Sequence, residues 1–257
     1  MSVLEEIIKG VREDLVARKI SMSELKEKID LIGATRDPLP ALSADEISII
    51  AEVKRSSPSK GALATIADPA GLAKKYEDAG AWVVSVLTEE RRFGGSLSDL
   101  VAVRERVSLP VLRKDFMVDE YQFYEARAYG ADLVLLIVAA LIPTQLQDFA
   151  ELTRELGMRA LVEVHTESEL ELAMDISPEI VGVNSRNLKT LEVDSEVFAR
   201  LIPRIPAHVV RVAESGISTR ADVVFAQKCG ANAVLVGEAL VRESDPAATL
   251  RSLLGRG

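Results

Sequence analysis

Two lysines and three glutamates stand at the ends of short apolar runs in this 257-residue chain. Glu52 and Lys54 follow IIA in AEVKRSSPSKG, Lys114 follows SLPVLR, Glu163 sits in RALVEV and Glu214 in VVRVAE. An unpaired ammonium is costly to bury, so a lysine at the end of a buried-looking run needs a partner or a task. Close to carboxylates it stays charged and can serve as a proton donor or an electrostatic clamp. The opposing reading is structural: Lys114 also fits a salt bridge to Asp115 or to a carboxylate of a neighbouring strand. Two further runs add polar groups, Asn184 and Arg186 in GVNSRN, and Ser215 and Gly216 in AESGIS; LVGEAL then brings Gly237. Glycines after late strands suit a phosphate held by backbone amides, because a residue without Cβ lets the backbone approach closely. Each glycine would equally suit an ordinary strand end. The SSPSKG segment adds hydroxyl and amide donors or is a plain polar loop.

These groups can act together only if the elements beneath them bring them to one place. Eight apolar runs read as strands: 47–53, 81–87, 109–113, 131–138, 159–164, 180–184, 209–214 and 232–237. They are apolar at successive positions, which fits a parallel sheet covered on both faces. Helical patterns lie between them, among them 68–80, 96–107, 119–130, 143–157, 167–175 and 219–230, and AGAW, YGAD and CGAN read as helix-ending glycines entering the next strand. Eight such units close into a (β/α)₈ TIM barrel, whose chemistry sits at the C-terminal strand ends and whose last two loops often hold phosphate. An open doubly wound sheet is the runner-up, but no Gly-x-Gly-x-x-Gly follows the first strand. Residues 1–257 then form one domain, with residues 1–45 as an N-terminal helical extension across the barrel or beside its active face. Six of the eight strand ends carry ionisable, amide or glycine groups, a convergence that favours chemistry over scattered ion pairs. In the pleat, Arg113 and Asp115 turn away from the site and pair outside the barrel.

A net charge of −9 argues against nucleic acid as a partner, although a local cationic pocket still suits an anionic metabolite. Cys229 is the only cysteine, and with only His165 and His208 beside it a metal site is not expected. The longest apolar run, 133–142, is too short to span a bilayer. The expectation is a cytoplasmic protein without a membrane partner, monomeric or weakly dimeric. His165 precedes a helix start and reads as structural or surface; Trp82, the aromatics of YQFYEARAYG and Cys229 read as packing.

The segments IIAEVKRSSPSKG, RRFGGSLSDL, PVLRKDFMVDEYQ, ALVEVHTESEL, VGVNSRNL, VAESGIS and AVLVGEALV together resemble the indole-3-glycerol-phosphate synthase family of tryptophan biosynthesis, over nearly the whole chain. The resemblance implies a cofactor-independent barrel lyase acting on a phosphorylated anionic substrate, with ring closure and loss of CO₂ and water. It assigns Lys114 as the acid at the substrate carbonyl, with Glu163 paired to that chemistry and to the dehydration. Lys54 becomes a second lysine, near the substrate carboxylate or phosphate, with an acid role in dehydration. Glu52, Asn184, Glu214 and Ser215 become the polar ring around the substrate. Ser57, Gly216 and Gly237 match phosphate-loop positions, Arg186 lies near the anthranilate ring, and Phe93 and Phe116 flank the substrate. Glu238 departs from the small residue common after that glycine, and is expected to point away from the phosphate, leaving only its backbone N–H toward it. Other classes remain open on the residues alone: a Schiff-base aldolase using a desolvated lysine, or a non-catalytic phosphate-binding barrel.

Overall fold

Runs of residues apolar on both parities become strands buried on both faces, and the computed structural model, which describes residues 2–44, 46–188 and 190–256, closes eight of them into a barrel. They are β1 (Ser48–Val53), β2 (Val83–Leu87), β3 (Val111–Lys114), β4 (Leu133–Ile137), β5 (Arg159–Val164), β6 (Ile180–Asn184), β7 (Val210–Glu214) and β8 (Ala233–Val236). Neighbouring strands are parallel in chain order, and β1 pairs with both β2 and β8. Six of the eight strands start one or two residues later than their apolar runs, while β5 and β6 start with them. Pro110, for example, lacks an N–H for the ladder, so β3 begins at Val111 and takes in Lys114 as its last residue.

Around the strands lie α4 (Pro69–Ala79), α5 (Leu97–Arg106), α6 (Tyr121–Ala128), α7 (Pro143–Glu155), α8 (Glu167–Asp175), α9 (Glu196–Leu201), α10 (Arg220–Lys228), α11 (Glu238–Arg242) and α12 (Pro246–Leu254). Side-chain caps fix several starts: Ser96, Thr166 and Thr219 each accept from the backbone three residues on. Gly80, with φ of 102°, ends α4 as the glycine pattern predicts. A short hairpin, Ser56–Ser57 against Gly61–Ala62, follows β1.

The pleat sorts side chains into two layers. Ile49, Ala51, Val53, Val84, Val86, Val111, Val134, Val181 and Val234 face the helices. Ile50, Val83, Leu112, Leu133, Leu161, Ile180, Val210 and Ala233 face inward and fill the barrel. Successive residues of a strand point to opposite faces, so the inward positions two or four residues further on are Glu52, Ser85, Lys114, Glu163, Asn184 and Glu214. The same alternation that packs the floor delivers the polar groups to the mouth.

The N-terminal extension covers both ends of this tube. Ile7 and Val11 of α1 (Val3–Arg18) join the inward-facing cluster, and Val3 and Leu4 pack beside them, at the mouth. Helix α2 (Met22–Leu31) lies on α6, which is consequently buried on almost every face. The chain then reaches the opposite end. There Arg36 donates to the carbonyls of Val107 and Leu109 (both 2.8 Å), and Leu42 of α3 (Leu39–Leu42) joins the same cluster, fully buried. An extension beside the active face alone is therefore too narrow a description: it runs from the mouth to the base.

Candidate active site

Lys114, at the inward-facing end of β3, holds its Nζ 3.0 Å from Glu163 Oε2 of β5 and 3.3 Å from Glu214 Oε2 of β7. Burial alone would push this amine down, but the charges of Glu163, Glu214 and Glu52 outweigh it and hold the ammonium well above its ordinary range. A nucleophilic amine needs the opposite shift, so this environment argues against a Schiff-base lysine. The two carboxylates share one cation unequally. Burial raises Glu163, but Lys114, His165 and a hydrogen bond from Asn184 overcome it and keep that carboxyl below the usual range. Burial and the neighbouring charges of Glu163 and Glu52 win at Glu214, which is pushed up to about 8. Its Oε1 lies over Gly182 of β6, in space that a Cβ there would take, and finds no hydrogen-bond partner among the described residues. One carboxylate poised as a base and one ready to hold a proton flank the same ammonium.

The second lysine sits across the barrel mouth. Lys54 Nζ is 3.6 Å from Glu52 Oε1 and 5.7 Å from the centre of the Phe93 ring. Glu52 Oε2 also accepts from Ser85 (3.2 Å). The register of β1 on β8, Ala51 opposite Val236, sets Glu52 beside Gly237. A Cβ at Gly237 would stand 2.6 Å from Glu52 Oε1, so this glycine makes room for the carboxylate as well as for a ligand. Ser215 and Gly216 have φ of 67° and 71°, a left-handed turn that folds the β7 loop back over the mouth.

A cleft of about 630 Å³ opens beside these loops, lined by Lys54, Lys60, Arg186, Ser215, Gly216, Gly237 and Arg242. Glu238 is among the residues lining it, with Oε1 2.7 Å from Lys60 and 3.2 Å from Arg242, so two cations hold its side chain. Opposite the cleft is an apolar compartment formed by Val3, Leu4 and Ile7 of α1 with Phe93, Phe116 and Leu188. The two phenyl rings are 6.2 Å apart. Ser57 is in this compartment and not among the groups lining the cleft, and its hydroxyl is 3.4 Å from that of Ser59. Arg186 reaches between the two regions, donating to Ser59 Oγ (3.2 Å) and the Leu191 carbonyl (3.0 Å), while Asn184 Oδ1 accepts from its backbone N–H. Arg113 and Asp115 do turn outward, paired with each other at 3.0 Å in the layer between barrel and helices.

Of the two readings of His165, structural or surface, the geometry favours the first and adds a neighbour: its Nε2 is 3.4 Å from Glu163 Oε1 and its Nδ1 3.0 Å from Glu169 Oε2. The signal was present in the spacing, since residues i and i+2 of a strand share a face and His165 follows Glu163 at that interval.

With this geometry in hand, comparison with known proteins is decisive. The family model described as indole-3-glycerol phosphate synthase matches residues 4–253. The chain is 57% identical to indole-3-glycerol phosphate synthase 1 of Streptomyces coelicolor, across 100% of this chain and 96% of that one. Its identity to the indole-3-glycerol phosphate synthase of Kineococcus radiotolerans is 58%, with coverage of 100% and 96%. Among solved structures, the 3-hexulose-6-phosphate synthase of Salmonella typhimurium superposes with a TM-score of 0.66 at 15% identity, covering 82% of this chain and 98% of that one, a likeness of fold alone. Identity above one half along the entire chain is far more than a shared barrel requires: the chain belongs to the indole-3-glycerol phosphate synthase family.

Proposed function

We propose that this chain closes the indole ring of 1-(2-carboxyphenylamino)-1-deoxyribulose 5-phosphate, releasing CO₂ and water to give indole-3-glycerol phosphate. The observation that carries the assignment of roles is the Lys114 ammonium held between Glu163 and Glu214, beside a polar cleft bearing four cations and three carboxylates and an adjoining apolar compartment. The phosphate takes the cleft, where it meets the loop amides at Gly216 and Gly237 and competes with Glu52 and Glu238 for Lys54, Lys60 and Arg242. The aromatic ring takes the compartment at Phe93 and Phe116. The ketone then lies near Lys114.

In the first step the ring carbon bearing the carboxylate attacks the ketone carbon, and Lys114 gives a proton to the ketone oxygen, which becomes a hydroxyl. Loss of CO₂ returns the bonding pair to the ring and restores its aromaticity. The hydroxyl then leaves as water with a proton from Lys54 or Lys114, and Glu163 removes the proton from the adjacent carbon as the double bond forms. Asn184 and His165 keep Glu163 ionised for that removal, whereas Glu214, with its raised proton affinity, buffers the lysine.

The wild-type chain should develop indole fluorescence with time on this substrate. Glu163→Gln should bind a substrate analogue normally but turn over about 10²- to 10⁴-fold more slowly, the usual range for a lost acid–base group. Analogue binding by the wild type without any growth of fluorescence would reduce the protein to a phosphate-binding barrel. Gly237→Ala tests the mouth geometry. Its methyl group displaces Glu52 and with it the contacts to Lys54 and Ser85, so kcat/KM should fall about 10- to 100-fold, as expected for reacting groups displaced by about 1 Å. Steady-state kinetics on the folded variant would read this directly.

A further inference from the structure

We infer that His165 is a positioning residue that holds Glu163 ionised through a carboxylate–imidazole–carboxylate chain, Glu169–His165–Glu163, behind the reacting groups. This inference rests on the proposed role of Glu163 as the base and goes beyond it. Lys114 stands on one side of Glu163 only, at 3.0 Å from Oε2, and is also 3.3 Å from Glu214. A second cation on the far side of Glu163 completes the hold. His165 supplies it from the residue just past β5, with Nε2 3.4 Å from Glu163 Oε1, the oxygen not turned to Lys114.

The imidazole is itself held from behind. Thr166 caps α8, and this cap brings Glu169 back over the strand end. Glu169 Oε2 accepts from the His165 backbone N–H (2.7 Å) and lies 3.0 Å from Nδ1, which fixes the ring and places a proton on Nδ1. Nε2 is buried and has no hydrogen-bond partner among the described residues, so in this chain its proton has Glu163 as the nearest acceptor. Burial lowers the proton affinity of the ring, but the Glu169 hydrogen bond and the charges of Glu163, Glu169 and Glu214 outweigh it and raise the histidine above its ordinary value. The groups facing His165 are therefore Glu163 from β5, Glu169 from α8 and Glu214 from β7, with Lys114 beyond Glu163. The short turn Val138–Ala140, which packs on both β5 and α8, contributes no ionisable group.

The charge sign decides the pH behaviour. While His165 is protonated, Glu163 releases its proton more readily; as pH rises through the histidine's raised value, this support is withdrawn. An imidazole that merely fills space would not affect Glu163 in this way. The test is a carbon NMR titration of protein labelled at the glutamate side-chain carboxyls, with the Glu163 signal identified as the one lost in Glu163→Gln. In His165→Asn the Glu163 midpoint should rise by about one pH unit, a tenfold gain in proton affinity. The acid limb of kcat should move up with it while KM stays within about twofold. Glu169→Gln, which leaves the ring in place but unanchored, should move the midpoint in the same direction by less, and provides the measurement if His165→Asn does not fold. A Glu163 midpoint unchanged in either folded variant overturns the inference, whatever happens to the rate. Wild-type turnover by Glu163→Gln would instead sink the proposed base while leaving the titration shift intact, so the two failures are distinguishable.

Discussion

Replacing Lys114 with alanine should lower kcat at least about a thousandfold while the barrel stays folded. A positioned general acid contributes about 10²- to 10⁴-fold, and a fixed donor at a developing oxyanion about 10²- to 10³-fold. Lys114 is placed to supply both, and among the described residues no other ammonium approaches both Glu163 and Glu214. KM should change much less, because the phosphate and the ring are held by the cleft and the apolar compartment on either side. The fold survives because the carboxylates left behind can neutralise themselves by taking protons. That response has a signature. In the wild type, folded Glu214 holds its proton up to about 8, whereas the unfolded chain releases it in the ordinary carboxylate range. Between those values the folded state binds more protons, so this group's contribution to stability falls as pH rises. Without the ammonium Glu163 joins Glu214 in that behaviour, and the fall becomes steeper. Thermal melts of Lys114→Ala should therefore diverge from wild type as pH is raised from about 5 to about 8. Retained turnover would remove Lys114 from its assigned role; parallel melting curves would remove the account of its electrostatics.

The second large effect is on stability and lies directly behind the lysine. Arg113 is completely buried, with Nη2 3.0 Å from Asp115 and 2.9 Å from Glu125, Nε donating to Thr88 Oγ1 (3.1 Å) and Nη1 to the Gln122 carbonyl (3.1 Å). Thr88 in turn donates to Asp115 (2.6 Å), and Arg18 of α1 donates from Nε to Glu125 (2.9 Å). Removing one partner of such a buried network strands the others, at a cost of about 3–5 kcal/mol. Arg113→Met, chosen to keep much of the volume, should lose about that amount in urea unfolding. The loss should narrow in acid. Burial raises Glu125, but Arg113 and Arg18 together hold it below the usual carboxylate range, so its contribution is present at neutral pH and disappears as pH falls through the folded value. In the variant much of that contribution is already gone. A stability difference that does not shrink below about pH 4 would show that the network is not electrostatic in origin.

The polar ring was legible in the sequence because barrel strands end where their chemistry begins. Glu52, Lys114, Glu163, Asn184 and Glu214 each occupy an inward position of their strand, and period-two alternation alone assigns them to one face. What was not legible depended on pairing between strands or on segments distant in sequence. Gly237 accommodates Glu52 only because of the β1–β8 register, and Gly182 accommodates Glu214 only because β6 and β7 are neighbours. Glu238 has a carboxylate beside a candidate phosphate site in sequence, and only the fold brings Lys60 across to meet it. His165 reads in the sequence as structural or surface for a different reason: the helix-start signal of Thr166 and Glu169 masks the spacing that links it to Glu163. The path of the extension to the base was also hidden, since nothing in residues 36–42 announces that Arg36 and Leu42 close the far end.

Helix α1 is fastened unequally along its length. Near its C-terminal end Arg18 grips Glu125, which is buried and itself held by Arg113. Over the mouth its polar attachments are ion pairs of half-exposed groups, Glu13 and Asp14 with Arg91 and Glu6 with Arg92. Dissolved salt screens exposed pairs strongly and buried ones little. Salt therefore weakens the attachments at Arg91 and Arg92, while the burial of Ile7 and Val11 in the barrel mouth and the Arg18–Glu125 pair persist.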